Sequence, residues 1–370
     1  MASGGAYRWQ AVDNHARSIY TNAPKCGQFR GFGTPQSTFA LECTLDELIQ
    51  ELGENPLEFR LRNIIAQDSQ TFLGYPIAES LGYREVLEAL QPRYQEFLAQ
   101  ADQFNAKNTN TPYRKGVGVS GMWYRFGKSG SLRIEAQAEL TREGKFTIFC
   151  SAPDYGQGTG TAMAQMGAET LGVSRDLIHL VNADTALTPD SGVQGASRAT
   201  FWVGNAVCQA AQNLKTEIIS CAAELMDSDP AELQLDDGQV INRRDASQAI
   251  SLADVATGIE HMGKSRKVLG VFDPSPDFPE ETRPSYTPHF ATGAHLAEVI
   301  VDRQTGCVDV TRFVAVHDVG RVINRRGAQG QVEGSILMGI GSALYEEYLP
   351  DLTDGFVNYI LPMVKEMPQM

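Results

Sequence analysis

The sequence predicts an α+β protein. Amphipathic helical runs crowd the first third, strand-like runs come as hairpin pairs joined by short turns, and the two kinds do not alternate in regular βαβ units. With 370 residues, 42% hydrophobic and 21% charged, the chain can build two or three domains with ordinary cores.

Residues 1–40, rich in Gly, Pro and Asn, read as strands and loops. FALECTLDELIQELGENPLEFRLRNII reads as helical, because Leu45, Leu48, Ile49 and Leu52 recur at helical spacing; Gly53 and Pro56 then break the run before a second short helix. YREVLEALQPRYQEFLAQADQFNA is a third amphipathic helix, interrupted at Pro92. The polar stretch 105–116, NAKNTNTPYRKG, reads as a linker, and a second unit begins near Gly116. There SLRIEAQAEL and KFTIFCSA form two strands around the turn Thr141–Gly144. A helix ends near Leu171-Gly172, DLIHLVNAD is a strand, and a long helix runs from about Phe201 to Met226. LQLDDGQVI is a small hairpin about Asp237-Gly238. Residues 270–290 are proline-rich and irregular, HLAEVIVDRQTGCVDVTRFVAVHD is an alternating hairpin, and a last helix spans roughly Gly330–Tyr345. There is no internal repeat and no low-complexity tract.

The net charge of −14 disfavours nucleic acid and anionic membrane surfaces, which reward clustered Lys and Arg. No apolar run approaches the roughly 20 residues of a spanning helix, and MASGGAYRWQAVDNHAR shows no secretory apolar core. The six cysteines, Cys26, Cys43, Cys150, Cys208, Cys221 and Cys307, contain no CxxC pair. A zinc or iron–sulfur site needs tighter spacing. The expectation is reduced, mostly buried thiols in a cytoplasmic protein.

The stretch APDYGQGTGTAMAQMGAETLGV sets Gly156, Gly158 and Gly160 around Gln157, directly before a helix. Glycine permits close backbone approach, and N–H groups at a helix start suit an anion. A phosphate cradle is one reading; a tight turn is the other. The spacing is not the GxGxxG fingerprint, and no GK[ST] follows for a P-loop. Three further segments resemble it in composition: KCGQFRGFGTPQ with Arg30 and Phe32, GVQGASRAT before a helix, and GQVEG with Gln331, taken as a helix start. Together the four offer the equipment for a large polar cofactor with phosphate and ring heteroatoms.

FRGFGTPQ, YGQG, GASRAT and HDVGRVINRRGAQGQVEG, in this order, resemble the molybdenum-binding part of the xanthine dehydrogenase and aldehyde oxidase family over nearly the whole chain. The resemblance implies a molybdopterin cofactor with molybdenum, often a cytosine dinucleotide in bacteria. It implies hydroxylation of a carbon beside nitrogen or oxygen, with water as the oxygen source. Iron–sulfur clusters and FAD are expected on partner chains only. Arg30 matches the arginine near the metal's oxygen ligands, and Phe32 the ring that packs on substrate. Gly156, Gln157 and Gly158 match the pterin-binding segment. Gly195, Ala196 and Ser197 match the loop beside the metal and the cofactor phosphate. Gln331 matches the glutamine at the metal ligand or pterin. A guanidinium stabilises negative charge without titrating, and a phenyl face orients a flat substrate.

Trp123, Tyr124 and Phe126 fall where the family has a second substrate-stacking ring, with a core role equally open. Cys26 reads as a buried thiol, and His317-Asp318 as a structural turn. Residues 1–112 correspond to the C-terminal part of a first molybdopterin-binding domain, and residues 113–370 to a second lacking its C-terminal end. The family's GxGEP-like segment with its catalytic glutamate is not found; Glu42 and Glu333, the carboxylates nearest the motifs, are not assigned as the base. A split or incomplete large subunit is expected, completed by a second molybdopterin subunit. Purines, nicotinate-like rings and aldehydes stay open as the small-molecule substrate, and a non-catalytic cofactor-holding role or an unrelated nucleotide-binding module are the rival readings.

Overall fold

The computed structural model describes residues 2–23, 27–77, 81–127, 133–273 and 289–370. Its helices and mixed sheets make it α+β, and the chain divides into two compact units, each discontinuous in sequence.

The first unit comprises Met1–Arg125, Pro288–Arg321 and Ala328–Met370. Helix α1 (Thr34–Leu52) starts earlier than the apolar spacing predicts, because the left-handed Gly33 and a proline in the first turn set its start. Leu45 and Ile49 are buried, while Leu48 and Leu52 are 44% and 55% exposed, so half of the expected stripe faces outward. Helix α2 (Pro56–Asn63) is capped by the Asn55 side chain, which accepts from Leu57 N and Glu58 N. Helix α3 (Tyr83–Lys107) runs through Pro92 without a break. Its seven buried residues, Tyr83 to Ala101, pack on the sheet beneath and outweigh the one hydrogen bond that Pro92 removes. That sheet is antiparallel in the order β1 (Tyr113–Arg125), β9 (Phe290–Asp302), β10 (Val308–Asp318), with a bulge between Val310 and Arg312.

Two buried ionic networks hold this unit. Arg60, 0% exposed, donates from Nε to Glu42 Oε2 at 2.9 Å, from Nη2 to Asp46 at 2.8 Å and from Nη1 to the Pro56 carbonyl at 3.2 Å. Glu42 also accepts from the Tyr7 hydroxyl at 2.7 Å and from Gly121 N at 3.1 Å. Burial works against the Arg60 charge, yet Glu42, Tyr7 and Asp46 hold its pKa above the ordinary value. Glu298, on β9, accepts from Lys115, Thr311 and Arg312. Burial opposes its charge, but these donors bring its pKa down to about 2.

The second unit comprises Phe126–Thr287 and Val322–Gly327. Its main sheet has the order β4 (Ile178–Asn182), β3 (Phe146–Cys150), β2 (Ile134–Leu140), β8 (Lys267–Phe272); only β3 and β4 are parallel, joined through α4 (Thr159–Leu171). Helix α5 (Gly204–Met226) lies on β2 and β8 with ten buried residues. It comes so close that any Cβ at Gly270 would run into the backbone of Ala206 and Ala210. Helix α6 (Leu252–His261) packs beside it, and β5 (Leu233–Asp236), β6 (Gln239–Asn242) and β7 (Ala249–Ser251) form a small antiparallel sheet. The last helix, α7, spans Arg325–Leu344.

The predicted hairpins, the strand at DLIHLVNAD and the small hairpin at Asp237-Gly238 all form. The expectation of mostly buried thiols does not hold: Cys150 and Cys221 are buried, Cys208 is intermediate, and Cys43 and Cys307 are exposed. Cys26 and most of the proline-rich stretch 270–290 lie outside the described residues. No helix among the described residues is long and apolar enough to cross a membrane.

Candidate functional site

Arg30, Phe32 and Gln331 belong to the first unit, and the Gln157 and Ser197 loops to the second. Gln331 is not at a helix start, as the sequence suggests; α7 begins at Arg325, which places Gln331 in its second turn. There its side chain, not its backbone N–H, is what it presents. Arg30 Nη2 donates to the Gln331 carbonyl at 2.8 Å and to Gln331 Oε1 at 3.0 Å, joining residues 301 apart in sequence. Arg30 Nη1 reaches Met338 Sδ at 3.9 Å. The Gln331 amide nitrogen has no partner among the described residues, so it remains a donor.

Between Arg30 and α1 the chain takes three left-handed residues in a row: Gly31 (φ 88°), Phe32 (φ 51°) and Gly33 (φ 83°). The tight turn closes with Thr34 N donating to Gly31 O at 3.0 Å. A Cβ at Gly31 would meet the Pro35 ring at 2.7 Å, which requires glycine there. The Phe32 ring stands out of this turn, 65% exposed.

Eight described non-glycine residues have positive φ, and four of them are aspartates, which tolerate that region. Three of the other four are Phe32, Ala196 (φ 55°) and Ser197 (φ 54°), so backbone strain concentrates on residues singled out from sequence.

The Gln157 loop is self-contained. Asp154 accepts from Gly156 N at 2.9 Å, Gly158 N at 3.1 Å and Gly160 N at 3.0 Å. These bonds, that of Gly160 the strongest, hold the Asp154 carboxyl below its ordinary pKa. The N–H groups that the sequence offers to a phosphate are therefore taken by an internal carboxylate. Gln157 folds back as well: its Oε1 accepts from Tyr155 N at 2.5 Å, and its Nε2 donates to Pro153 O at 2.9 Å and Thr159 Oγ1 at 2.7 Å. What the loop exposes is Tyr155, 74% exposed, and the bare backbone of Gly156 and Gly158, where an added Cβ would meet open space.

The Gly195–Ser197 loop is anchored by Gly127 N, which donates to Ala196 O at 2.7 Å. It leads into a π-helical turn, Ala199–Val203, ahead of α5. Arg198, between the two, was not singled out from sequence. It is 6% exposed, its Nε is sealed and unpaired, and its guanidinium lies 5.1 Å from the Trp202 ring centroid. The Trp202 Nε1 is likewise buried without a partner. The only sequence signal is an arginine among small residues.

Other candidates have structural partners. Trp123 is buried and stacks on Phe290 at 4.4 Å, and Phe126 packs edge-on against Phe201 at 5.7 Å. His317 shares a 2.8 Å hydrogen bond with His295, and Asp318 accepts from Gly320 N. Glu42 is committed to Arg60, and Glu333 accepts from Gln329 at 2.7 Å.

A sequence profile described as molybdopterin cofactor-binding domain matches residues 89–368, and a second of the same description matches residues 1–64. The chain thus belongs to the molybdopterin-binding proteins, as a molybdenum-binding subunit of the xanthine dehydrogenase and aldehyde oxidase family. It is 30% identical over 392 residues to subunit gamma of the 6-hydroxypseudooxynicotine dehydrogenase complex of Paenarthrobacter nicotinovorans, covering 99% of this chain and 46% of that protein. It is 30% identical over 366 residues to the xanthine dehydrogenase molybdenum-binding subunit of Escherichia coli O157:H7, covering 96% and 47%. The chain spans about half the length of these relatives. Among solved structures, aldehyde oxidoreductase from Desulfovibrio gigas superposes with a TM-score of 0.76 at 27% identity, over 92% of this chain and 35% of that one. Quinoline 2-oxidoreductase from Pseudomonas putida 86 shares the fold, with a TM-score of 0.78 at 24% identity over 92% and 45%.

Within the second unit the residues fit a ligand that combines phosphate with a heteroatom-rich ring. There the Arg198 Nε and the Trp202 indole N–H are buried and unpaired, and the Gly156 and Gly158 backbone is open to close approach. The first unit holds an uncommitted amide on Gln331.

Proposed function

We propose that this chain holds molybdopterin with its molybdenum, in bacteria as the cytosine dinucleotide, within a hydroxylase that oxidises a purine-like N-heterocycle or an aldehyde with water as oxygen source. When bound, the cofactor supplies the redox-active metal. Arg30, fixed by Gln331 through two oxygens, keeps its other donors for negative charge on oxygen near the metal. Gln331 offers its amide nitrogen to the cofactor. Phe32, held out by a strained turn, supplies the flat apolar face that orients the substrate. Gly156 and Gly158 let the pterin lie against main chain, Gln157 keeps that loop in shape, and Gly195, Ala196 and Ser197 line the phosphate side. The family-level division we read is 1–112 and 113–370, with the profile matches leaving residues 65–88 between them.

Iron–sulfur and FAD subunits are the partners we infer, in the cytoplasm. Two relatives are named as subunits, one of them of a dehydrogenase complex, which supports this reading. The observation that carries the proposal is the Arg30–Gln331 pair, which joins two recognised motifs from opposite ends of the chain while leaving donors free. Metal analysis with release and mass identification of the cofactor tests it directly. Arg30→Ala or Phe32→Ala in a reconstituted complex is expected to collapse turnover; unchanged rates would remove both assignments. Bound cofactor without turnover in the complete complex would favour the cofactor-holding reading.

A further inference from the structure

A cavity in the second unit is built from residues outside the four motifs. It opens where helix α5 meets the small sheet of β5 and β6, and its volume is about 440 Å³. That size falls in the roughly 300–1,000 Å³ of small-molecule sites. Its lining residues lie between Gln212 and Arg243, and the function proposed above uses none of them.

The charge of the lining is unlike that of the chain. One wall, α5, contributes Lys215, the strand side contributes Arg243, and no Asp or Glu lines the cavity among the described residues. In a chain with 45 acidic against 31 basic residues, such a lining selects for an anion. Nearby carboxylates do not neutralise the two cations. Lys215 Nζ donates to the Thr170 carbonyl at 3.2 Å, which occupies one of its three donors and none of its charge. Glu232 is paired with Arg244 at 2.9 Å, and Asp245 accepts from Ser247 and Gln248. The Arg243 side chain makes no hydrogen bond or ion pair among the described residues. Its backbone is nevertheless fixed: Arg243 N donates to Glu232 O at 2.7 Å, and Asn242 pairs with Leu233 across the sheet.

The rest of the lining is amphipathic. Leu233 and Leu235 are buried and form an apolar base, with Ile219 contributed by α5. Ser220 and Gln234 add a hydroxyl and an amide that have no hydrogen-bond partner among the described residues. An inorganic oxyanion would leave the apolar part bare. A carboxylate on a hydrocarbon body satisfies both parts: the guanidinium fork matches its two oxygens, and the body covers the leucines.

We propose that this cavity binds a small organic carboxylate, its charge held by Arg243 and Lys215 and its apolar body against Leu233 and Leu235.

The test is calorimetric titration of the full chain with benzoate at constant ionic strength, with benzamide and inorganic sulfate as comparison probes. Benzoate is expected to saturate. Benzamide, which lacks the charge, and sulfate, which lacks the apolar body, should each bind about 10-fold more weakly or worse. Arg243→Gln, at an exposed position, should weaken benzoate by about 10- to 100-fold, the loss of a charge-assisted hydrogen bond. Thr216→Trp, exposed on the α5 wall, should fill the cavity and abolish binding. Arg244→Gln should leave binding unchanged, because that guanidinium is already engaged by Glu232. No saturable benzoate binding, equal affinity for benzamide or sulfate, or an unaltered affinity in Arg243→Gln would overturn the proposal. So would a loss of binding in Phe32→Ala, which would place benzoate on the substrate face proposed above. Mass identification of released pterin from Arg243→Gln should match the wild type, so a failure here leaves the proposed function standing.

Discussion

Two buried arginines divide this protein. Arg60, in the first unit, is 0% exposed and has all three nitrogens bonded, to Glu42, Asp46 and the Pro56 carbonyl. Arg198, in the second, is 6% exposed, lies over the Trp202 ring at 5.1 Å and has its buried Nε without a hydrogen-bond partner. Arg60 lies in helix α2 and Arg198 just ahead of a π-helical turn, and both side chains are largely removed from water. One belongs to a closed network that the fold itself completes; the other is a half-built interaction. A satisfied buried charge says that a residue is architectural, whereas an orphaned one points outside the chain.

The largest expected effect tests the architectural half. Arg60→Met leaves Glu42 buried without its cation, and the cost should be about 3–5 kcal/mol in urea unfolding. A loss below about 1 kcal/mol would break the contrast with Arg198. The double variant Glu42→Leu/Arg60→Met should recover only part of the loss, since no buried lone charge remains but the Tyr7 hydroxyl and Gly121 N lose their acceptor.

Acid extends the comparison to a pair whose burial resists protonation. Burial, with His317 adding to it, lowers the His295 pKa to about 4, and burial lowers that of His317. Because the unfolded imidazole takes up its proton near pH 6.5, stability is full above that value and falls as pH drops toward 4, on the order of 2–3 kcal/mol. His295→Leu should flatten the slope of the urea midpoint between pH 7 and pH 4. An unchanged slope would assign it to other groups; Glu298, with its pKa near 2, starts to lose its contribution as pH falls below the ordinary carboxylate value near 4.5 and loses the rest toward pH 2.

Asp154→Ala asks whether the glycine loop is held by its own carboxylate. Three backbone donors lose their acceptor, which should cost about 1–2 kcal/mol and speed amide exchange at the start of α4. Phe32→Gly is expected to go the other way, stabilising the chain by about 0.5–1 kcal/mol as left-handed strain is relieved, while removing the ring that function needs. The smallest effect is Arg198→Met without ligand, within about 1 kcal/mol of wild type, the opposite of Arg60→Met despite similar burial.

Much of this was legible beforehand. The four motifs identified the family, and periodicity located α3, the hairpins and most of α5. The misreadings share one cause, the neglect of partners, some near and some distant in sequence. Pro92 reads as a break because the sheet under α3 is assembled from residues 113–125 and 290–318. The glycine N–H groups read as an anion site because Asp154, two residues ahead of Gly156, was not counted as their acceptor. Gln331 reads as a cap because α7 starts at Arg325. Arg198 was passed over because an arginine beside small residues carries no sign of burial.

The sequence by itself determined the class of fold, the family and the order of the cofactor-side loops, since these follow from local periodicity and short spacings. Tertiary structure alone decided which polar groups are spent and which are left over. That Gln331 seats Arg30 across 301 residues, that Glu42 is bound to Arg60, and that Arg198 Nε is left unpaired depend on where distant segments pack. Hydrogen-bond satisfaction is a property of three-dimensional neighbourhoods, so no reading along the chain contains it.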